Sequence, residues 1–208
     1  KEPAEKAWKA DDPNWGIWQI SDSKLNLLPN DLKGMKCIEL GSGAGYVSSW
    51  MARRGAEVVG IDPTPNQLET AIRLEKEHQL GVEFVEGFAE TLPFPDSSFD
   101  FAISEYGASL WADPYEWVPE AARVLKRGSQ LVFMTNHAFA ICCIPDEENE
   151  NAPISEQLQR PYLGLYKSKW EFSSEEIEFH LPHGEWIKLL IGNGFVIERL
   201  LELGASPE

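Results

Sequence analysis

No apolar run in this 208-residue chain approaches the roughly 20 residues that a membrane helix needs. The opening residues Lys1 to Lys9 are charged rather than leader-like, so no membrane partner is expected. Cysteine is scarce: Cys37 falls in an apolar run and Cys142 and Cys143 are adjacent, a pattern that gives neither a disulfide framework nor zinc-ligand spacing. A reducing cytoplasm suits such a chain. Basic residues are also short, 18 against 34 acidic ones, for a formal net charge of -16. Nucleic-acid surfaces rest on clustered Lys and Arg, so no nucleic-acid partner is expected. The chain begins with Lys1 instead of Met, which suggests a trimmed or incomplete N-terminus.

What is present is a hydrophobic fraction of 43%, enough for one sizeable core. Short runs rich in Val, Ile and Phe alternate with helical-period segments, the pattern of parallel strands joined by crossover helices. The expected strands are Met35 to Leu40, Glu57 to Asp62, Val82 to Glu86, Phe99 to Ser104, Gln130 to Thr135 and Phe195 to Leu203. A helix over Pro65 to His78 places Leu68, Ala71, Ile72 and Glu75 on one face, and another from Tyr115 does the same with Val118, Ala121, Ala122 and Leu125. Gly128 and Gly192-Asn193-Gly194 sit where helix ends favour a left-handed residue. The fold class is α/β, a Rossmann-like doubly wound, mostly parallel sheet in a single domain over 1–208. Two stretches break the alternation: an N-terminal arm, 1–30, carrying Trp8, Trp15 and Trp18, and a cover insertion, 138–182, acidic around Asp146 to Glu150. Insertions of that length are either lids or solvated loops.

The segment Ile38-Glu39-Leu40-Gly41-Ser42-Gly43-Ala44-Gly45 reads as a strand running into a glycine-rich turn and a helix. Glycine lets the backbone approach a ligand at such a turn, and Asp62 follows about 20 residues later at the next strand end, where a ribose hydroxyl is held. The dinucleotide fingerprint needs its third glycine where this chain has Tyr46; Gly45 precedes it instead. Glu39 adds an acid that would repel a pyrophosphate, and it either accepts a hydrogen bond from an ammonium group or orients the loop. A nicotinamide-dependent oxidoreductase is therefore the weaker reading.

These residues resemble the class I S-adenosylmethionine-dependent methyltransferases with small-molecule acceptors. Glu39-Leu40-Gly41-Ser42-Gly43-Ala44-Gly45 matches the first family motif and Ile61-Asp62 the ribose-binding acid. Leu92-Pro93-Phe94-Pro95-Asp96-Ser97-Ser98-Phe99-Asp100 and Glu120 to Ser129 match later motifs in the same order. The resemblance implies S-adenosyl-L-methionine as cofactor, a small-molecule methyl acceptor, a Gly41 to Gly45 loop against the methionine part together with Ser42, and Asp62 on the ribose. Gln67 lines the same site. Where the family carries an adenine-binding acid after Gly87, this chain has Phe88, Ala89 and Glu90: either Phe88 stacks on adenine, or Glu90 reaches the amino group, or affinity falls. Ser104 and Glu105 match the place where the cofactor's amino-acid moiety is met. The family's antiparallel seventh strand has little room before Glu208, so the final strand is expected to be missing. A non-catalytic cofactor- or partner-binding protein on the same fold is the alternative, because fold alone does not decide function.

Methyl transfer from a sulfonium needs alignment and exclusion of water, and a base only for some acceptors. Residues just after strands line the mouth of such a sheet. Tyr106 and Trp111 follow strand four and Asn136 and His137 strand five. His137 is the candidate base, with Tyr106 as a second catalytic candidate. Trp111, His180 and His183 are candidates for acceptor contact, and Trp18 for an aromatic face toward the sulfonium. Tyr162, Tyr166, Trp170 and Phe172 either line an apolar acceptor pocket or form the cover's own small core. His78 reads as a surface residue. His180 and His183 hint at metal, but spacing places no third ligand, so no metal is expected.

Overall fold

A computed structural model of the chain describes residues 2–10, 12–145, 155–170 and 173–204. The arm comprises α1 (Glu2–Trp8), the short strands β1 (Asn14–Trp15) and β2 (Ile20–Ser21), and α2 (Asp22–Leu25). There follow β3 (Lys36–Leu40), α3 (Tyr46–Arg53), β4 (Glu57–Asp62), α4 (Pro65–His78), β5 (Glu83–Glu86) and β6 (Phe99–Glu105). Then come α5 (Ala108–Trp111), α6 (Pro114–Val124), β7 (Leu125–Met134) and α7 (Ala138–Cys142). The antiparallel pair β8 (Lys167–Trp170) and β9 (Ser173–Phe179) and the helix α8 (His183–Gly192) complete the described elements.

Five strands form one parallel sheet in the order β5-β4-β3-β6-β7. Alternation along each strand feeds two apolar layers, because successive side chains leave a pleated strand on opposite faces. Ile38, Leu40 and Ala102 meet Trp117, Val118 and Ala121 of α6 and Trp186 of α8 on one face. Cys37, Phe101 and Ile103 meet Val47, Trp50 and Met51 of α3 on the other, together with Trp15, Leu25, Leu28 and Leu32 from the arm and its continuation. The strand order reverses between β3 and β6, and in open α/β sheets it is beyond the carboxyl ends at such a switch point that ligands bind.

The helix α4 has the bounds its periodicity predicts, but its buried face is Leu68, Ala71 and Leu74, and Ile72 stays exposed. Gly128 is no helix end: α6 runs directly into β7, and Gly128, at φ +83°, lies where the β6–β7 register shifts. Gly194, at φ +85°, does follow α8, and the Phe195 N–H reaches the Leu190 carbonyl at 3.1 Å.

The largest departure is Phe195 to Leu203, which is not a strand. Beyond the Phe195 N–H, side chains tie it down: Gln130 donates to Glu198 at 3.2 Å, and Arg199 donates to the Leu25 carbonyl at 2.9 Å. A strand exists only where a neighbouring backbone completes its ladder, and β-propensity cannot supply that partner. Val196 is accordingly 85% exposed. The acidic run at 146–150 and Phe172 lie outside the described residues.

Candidate functional site

The turn between β3 and α3 contains three glycines at positive φ, and each answers a different demand. A Cβ on Gly41 would stand 2.4 Å from the Ala108 amide nitrogen, so its bareness lets the turn press against Gly107 and the start of α5. A Cβ on Gly45 would stand 2.4 Å from Cζ of Phe84, which fixes how closely α3 sits on the sheet. Gly43, at φ +51°, has no atom nearer to such a Cβ than Oε1 of Gln67, at 4.0 Å. Only Gly43 keeps its bare face open.

Asp62 lies beside it at the end of β4. Its Oδ2 accepts the Gly43 N–H at 2.7 Å and its Oδ1 the Thr64 N–H at 2.8 Å, so the carboxylate is locked while each oxygen keeps a further lone pair. The N–H groups of Gly41 and Ser42 both reach the Ile61 carbonyl at 2.9 Å. The Ser42 hydroxyl is buried without a hydrogen-bond partner, unusual for a group that costs free energy to leave unsatisfied. An open backbone concavity, a fixed carboxylate for a diol, the Gln67 amide and an orphaned hydroxyl suit a nucleoside bearing a flexible polar tail.

Glu39 lies beneath this turn. It is buried and accepts both the N–H (2.7 Å) and the hydroxyl (2.5 Å) of Ser48 on α3, and burial pushes its carboxyl up to about 8. Of its two sequence readings, orienting the loop is the one these bonds serve. Trp8 is a contributor that sequence reasoning missed: its indole N–H donates to the Ala44 carbonyl at 2.8 Å, clamping the glycine turn from the arm. Only its being one of three Trp residues in the arm hinted at this.

The opposite wall comes from β6. The Ser104 hydroxyl donates to the Leu40 carbonyl at 2.8 Å and accepts the Ser109 N–H at 3.0 Å, stitching the two central strands together. Glu105 accepts the Gly16 N–H at 3.0 Å through one oxygen and the Tyr46 hydroxyl through the other, and burial raises its carboxyl above the ordinary range. The arm's β1–β2 turn is thus bound to the sheet's mouth, with Trp18 exposed at that turn. Tyr106, at φ +50°, is held in a left-handed conformation that costs a bulky residue about 1–3 kcal/mol. Such strain gathers at functional sites. Trp111 is exposed on α5.

In the segment after Gly87 the three candidates separate. Phe88 is 64% exposed and free to stack, Ala89 is packed in the core, and Glu90 is engaged by the Asp113 N–H at 3.1 Å. The histidines also separate. His137 caps α7, its Nδ1 accepting the Phe139 N–H at 3.2 Å, while its Nε2 lies 2.6 Å from Glu202. Both ring nitrogens are engaged, which weakens its case as a base. His180 is buried, with Nε2 2.9 Å from Glu178 and Nδ1 unpartnered. His183 brings its ring to 5.0 Å from that of His137, and its backbone N–H meets the Tyr162 hydroxyl at 3.0 Å. His78 rests against Trp8. Tyr162 joins a small core with Ala138, Ile141, Cys142 and Leu165, and Tyr166 packs on Tyr115 and Phe179 and hydrogen-bonds Asp113. Tyr162 thus serves the cover's own small core, whereas Tyr166 fastens the cover to the start of α6 and to the main core.

Residues 38–133 match the methyltransferase domain family. The chain is 36% identical over 119 residues to 2-methyl-6-phytyl-1,4-hydroquinone methyltransferase 2 of Oryza sativa, covering 55% of this chain and 34% of that protein. It is 37% identical over 101 residues to demethylmenaquinone methyltransferase of Thermus thermophilus, covering 48% and 46%. The chain therefore spans less than half the length of these relatives. A crystal structure described as a putative S-adenosylmethionine-dependent methyltransferase from Listeria monocytogenes superposes with a TM-score of 0.75 at 21% identity, covering 89% of this chain and 84% of that one, which establishes the shared fold. No helix among the described residues is long and apolar enough to cross a membrane. The family match lies across the glycine turn and the Asp62 strand end, so the residues that build this site are those similar to the methyltransferase domain family, on the fold shared with the Listeria monocytogenes structure.

Proposed function

We propose that the protein transfers the methyl group of S-adenosylmethionine to a small, apolar-faced molecule, with an aromatic diol of the hydroquinone kind as the first acceptor class. The observation that carries the donor half is the open Gly43 cradle beside Asp62 and Gln67. Bound there, the cofactor supplies a methyl group already activated on a positive sulfur. The chain's own residues then have to bind, orient and exclude water. Asp62 and Gln67 hold the ribose, the Gly41 to Gly45 backbone and Ser42 face the amino-acid tail, and Phe88 offers its exposed ring to the adenine. Glu39, Ser104 and Glu105 keep the turn, the central strands and the arm in register.

The acceptor half rests on the mouth. Trp18 and Trp111 leave large aromatic surfaces exposed, and Tyr106 is held in strain between the arm and β6. Exposed aromatic surface suits a flat apolar ligand. The names of the two plant and bacterial relatives point to quinone-type acceptors, in keeping with this choice. Tyr106 contacts the acceptor; burial, with Glu105 beside it, pushes its hydroxyl above the usual phenol range, so it is a hydrogen-bond donor at neutral pH.

Transfer of labelled methyl from S-adenosylmethionine to a methyl-substituted 1,4-hydroquinone tests this reading. Turnover is expected, and Y106F should lower kcat/KM for the acceptor about tenfold or more while donor affinity holds. Donor binding with no transfer to any hydroquinone would overturn the acceptor class. Equal activity of Y106F would remove Tyr106 from it.

A further inference from the structure

Sequence spacing offers His180 and His183 as a histidine pair and no third ligand, but the fold pairs His183 with His137 instead and adds a carboxylate. His137 follows β7, His183 opens α8, and Glu202 lies on the irregular segment after α8. One ligand atom from each lies within 4.8 Å of the other two. His137 Nε2 and Glu202 Oε1 are 2.6 Å apart, and the two imidazole rings stand edge to face at 5.0 Å. Donors at ~2.0–2.2 Å from one zinc ion lie ~3.3 Å from each other, so small side-chain rotations bring these three onto a single ion. The His137 and Glu202 side chains are 39% and 63% exposed, which leaves them room to make those rotations.

We infer that His137, His183 and Glu202 form a binding site for a divalent transition ion of the zinc type. Two imidazoles and one carboxylate are a borderline-soft donor set that suits zinc better than magnesium or calcium. Three protein ligands leave the fourth tetrahedral position to solvent. The acidic chain, at -16, favours cation approach. The ion binds in place of a proton: the Phe139 N–H on His137 Nδ1 marks Nε2 as the protonated nitrogen facing Glu202. Coordination through Nε2 moves the imidazole proton to Nδ1 and releases the Phe139 N–H. That cap bond is long, at 3.2 Å, and Phe139 is exposed, so water replaces it. The bound ion would tie together three side chains that meet here through the His137–Glu202 hydrogen bond and the His137–His183 ring contact. The inference is independent of the methyl-transfer reading.

Titration of tag-free, chelator-treated full chain with Zn(II) alone, read by competition with a chromophoric chelator, tests it. One Zn(II) per chain is expected with a Kd below about 1 μM, weakened at least tenfold in both H183Q and E202Q. Glu202 is exposed outside any element, so E202Q keeps the fold even if H183Q does not, and thermal unfolding checks both. Nitrogen-15 shifts of the His137 ring should show the proton moving from Nε2 to Nδ1 on loading. Absence of stoichiometric zinc, or affinity unchanged in E202Q, would overturn the site; zinc held instead by Cys142 or Cys143 would give the second result.

Discussion

Single atoms distinguish the three turn glycines. Gly43→Ala adds a methyl into open space at a positive φ, so it should cost only about 1 kcal/mol, or a fall of roughly 2–4 °C in Tm, while S-adenosylmethionine affinity drops at least tenfold. Gly45→Ala drives the same methyl into Phe84 and should cost about 3 kcal/mol or more. Thermal unfolding and cofactor titration of the two variants separate a ligand-facing glycine from a packing one. Glu39 carries the pH prediction. Its folded carboxyl, at about 8, lies above its ordinary 4.5, so between those values the folded state holds a proton that the unfolded state has lost. Stability therefore falls as pH rises through that window, and E39Q removes this slope. Relative to wild type, E39Q should gain roughly 2 kcal/mol or more between pH 5 and pH 8.5, read from urea unfolding at the two pH values.

Elements that owe their form to local pattern were legible, and those that owe it to a distant partner were not. Pro65–His78 carries its helix in its own period, and β3 and β4 are short apolar runs closed by the glycine turn and Asp62. The same reasoning gave Phe195 to Leu203 a strand, because an apolar run reports a surface to bury and is silent on whether a neighbouring backbone is in reach. Gly128 was read as a helix stop because glycine at positive φ serves a strand irregularity equally well. In the site, Gly41, Gly43, Gly45 and Asp62 announced themselves by spacing, whereas Trp8 on Ala44 and Glu202 on His137 join residues whose nearness only the folded chain creates. Native-state hydrogen exchange should show the element-level consequence. Amides of β7 that point away from β6, toward Phe195 to Leu203, should exchange much faster than those of β3, which is paired on both sides. Uniform protection of β7 would mean that the segment forms a ladder after all.

At the scale of the whole molecule, a five-stranded parallel sheet puts its switch point between β3 and β6 and brings three separate pieces of chain to that end of the sheet. The glycine turn supplies the open backbone, β4 the carboxylate, and the arm a clamp from Trp8 beneath and a Gly16–Glu105 tie at the mouth. That arrangement was foreshadowed by the motif, while the arm's part in it came from contacts that span 36 and 89 residues of sequence. Calorimetric titration of the full chain and of D62A with S-adenosylmethionine, S-adenosylhomocysteine and NAD addresses the shared conclusion of these observations. Both sulfur nucleosides should bind one per chain, D62A should lose at least tenfold in affinity for each, and NAD should not bind. Binding of NAD alone, or S-adenosylmethionine affinity untouched by D62A, would contradict a methyl-donor site built on Gly43 and Asp62.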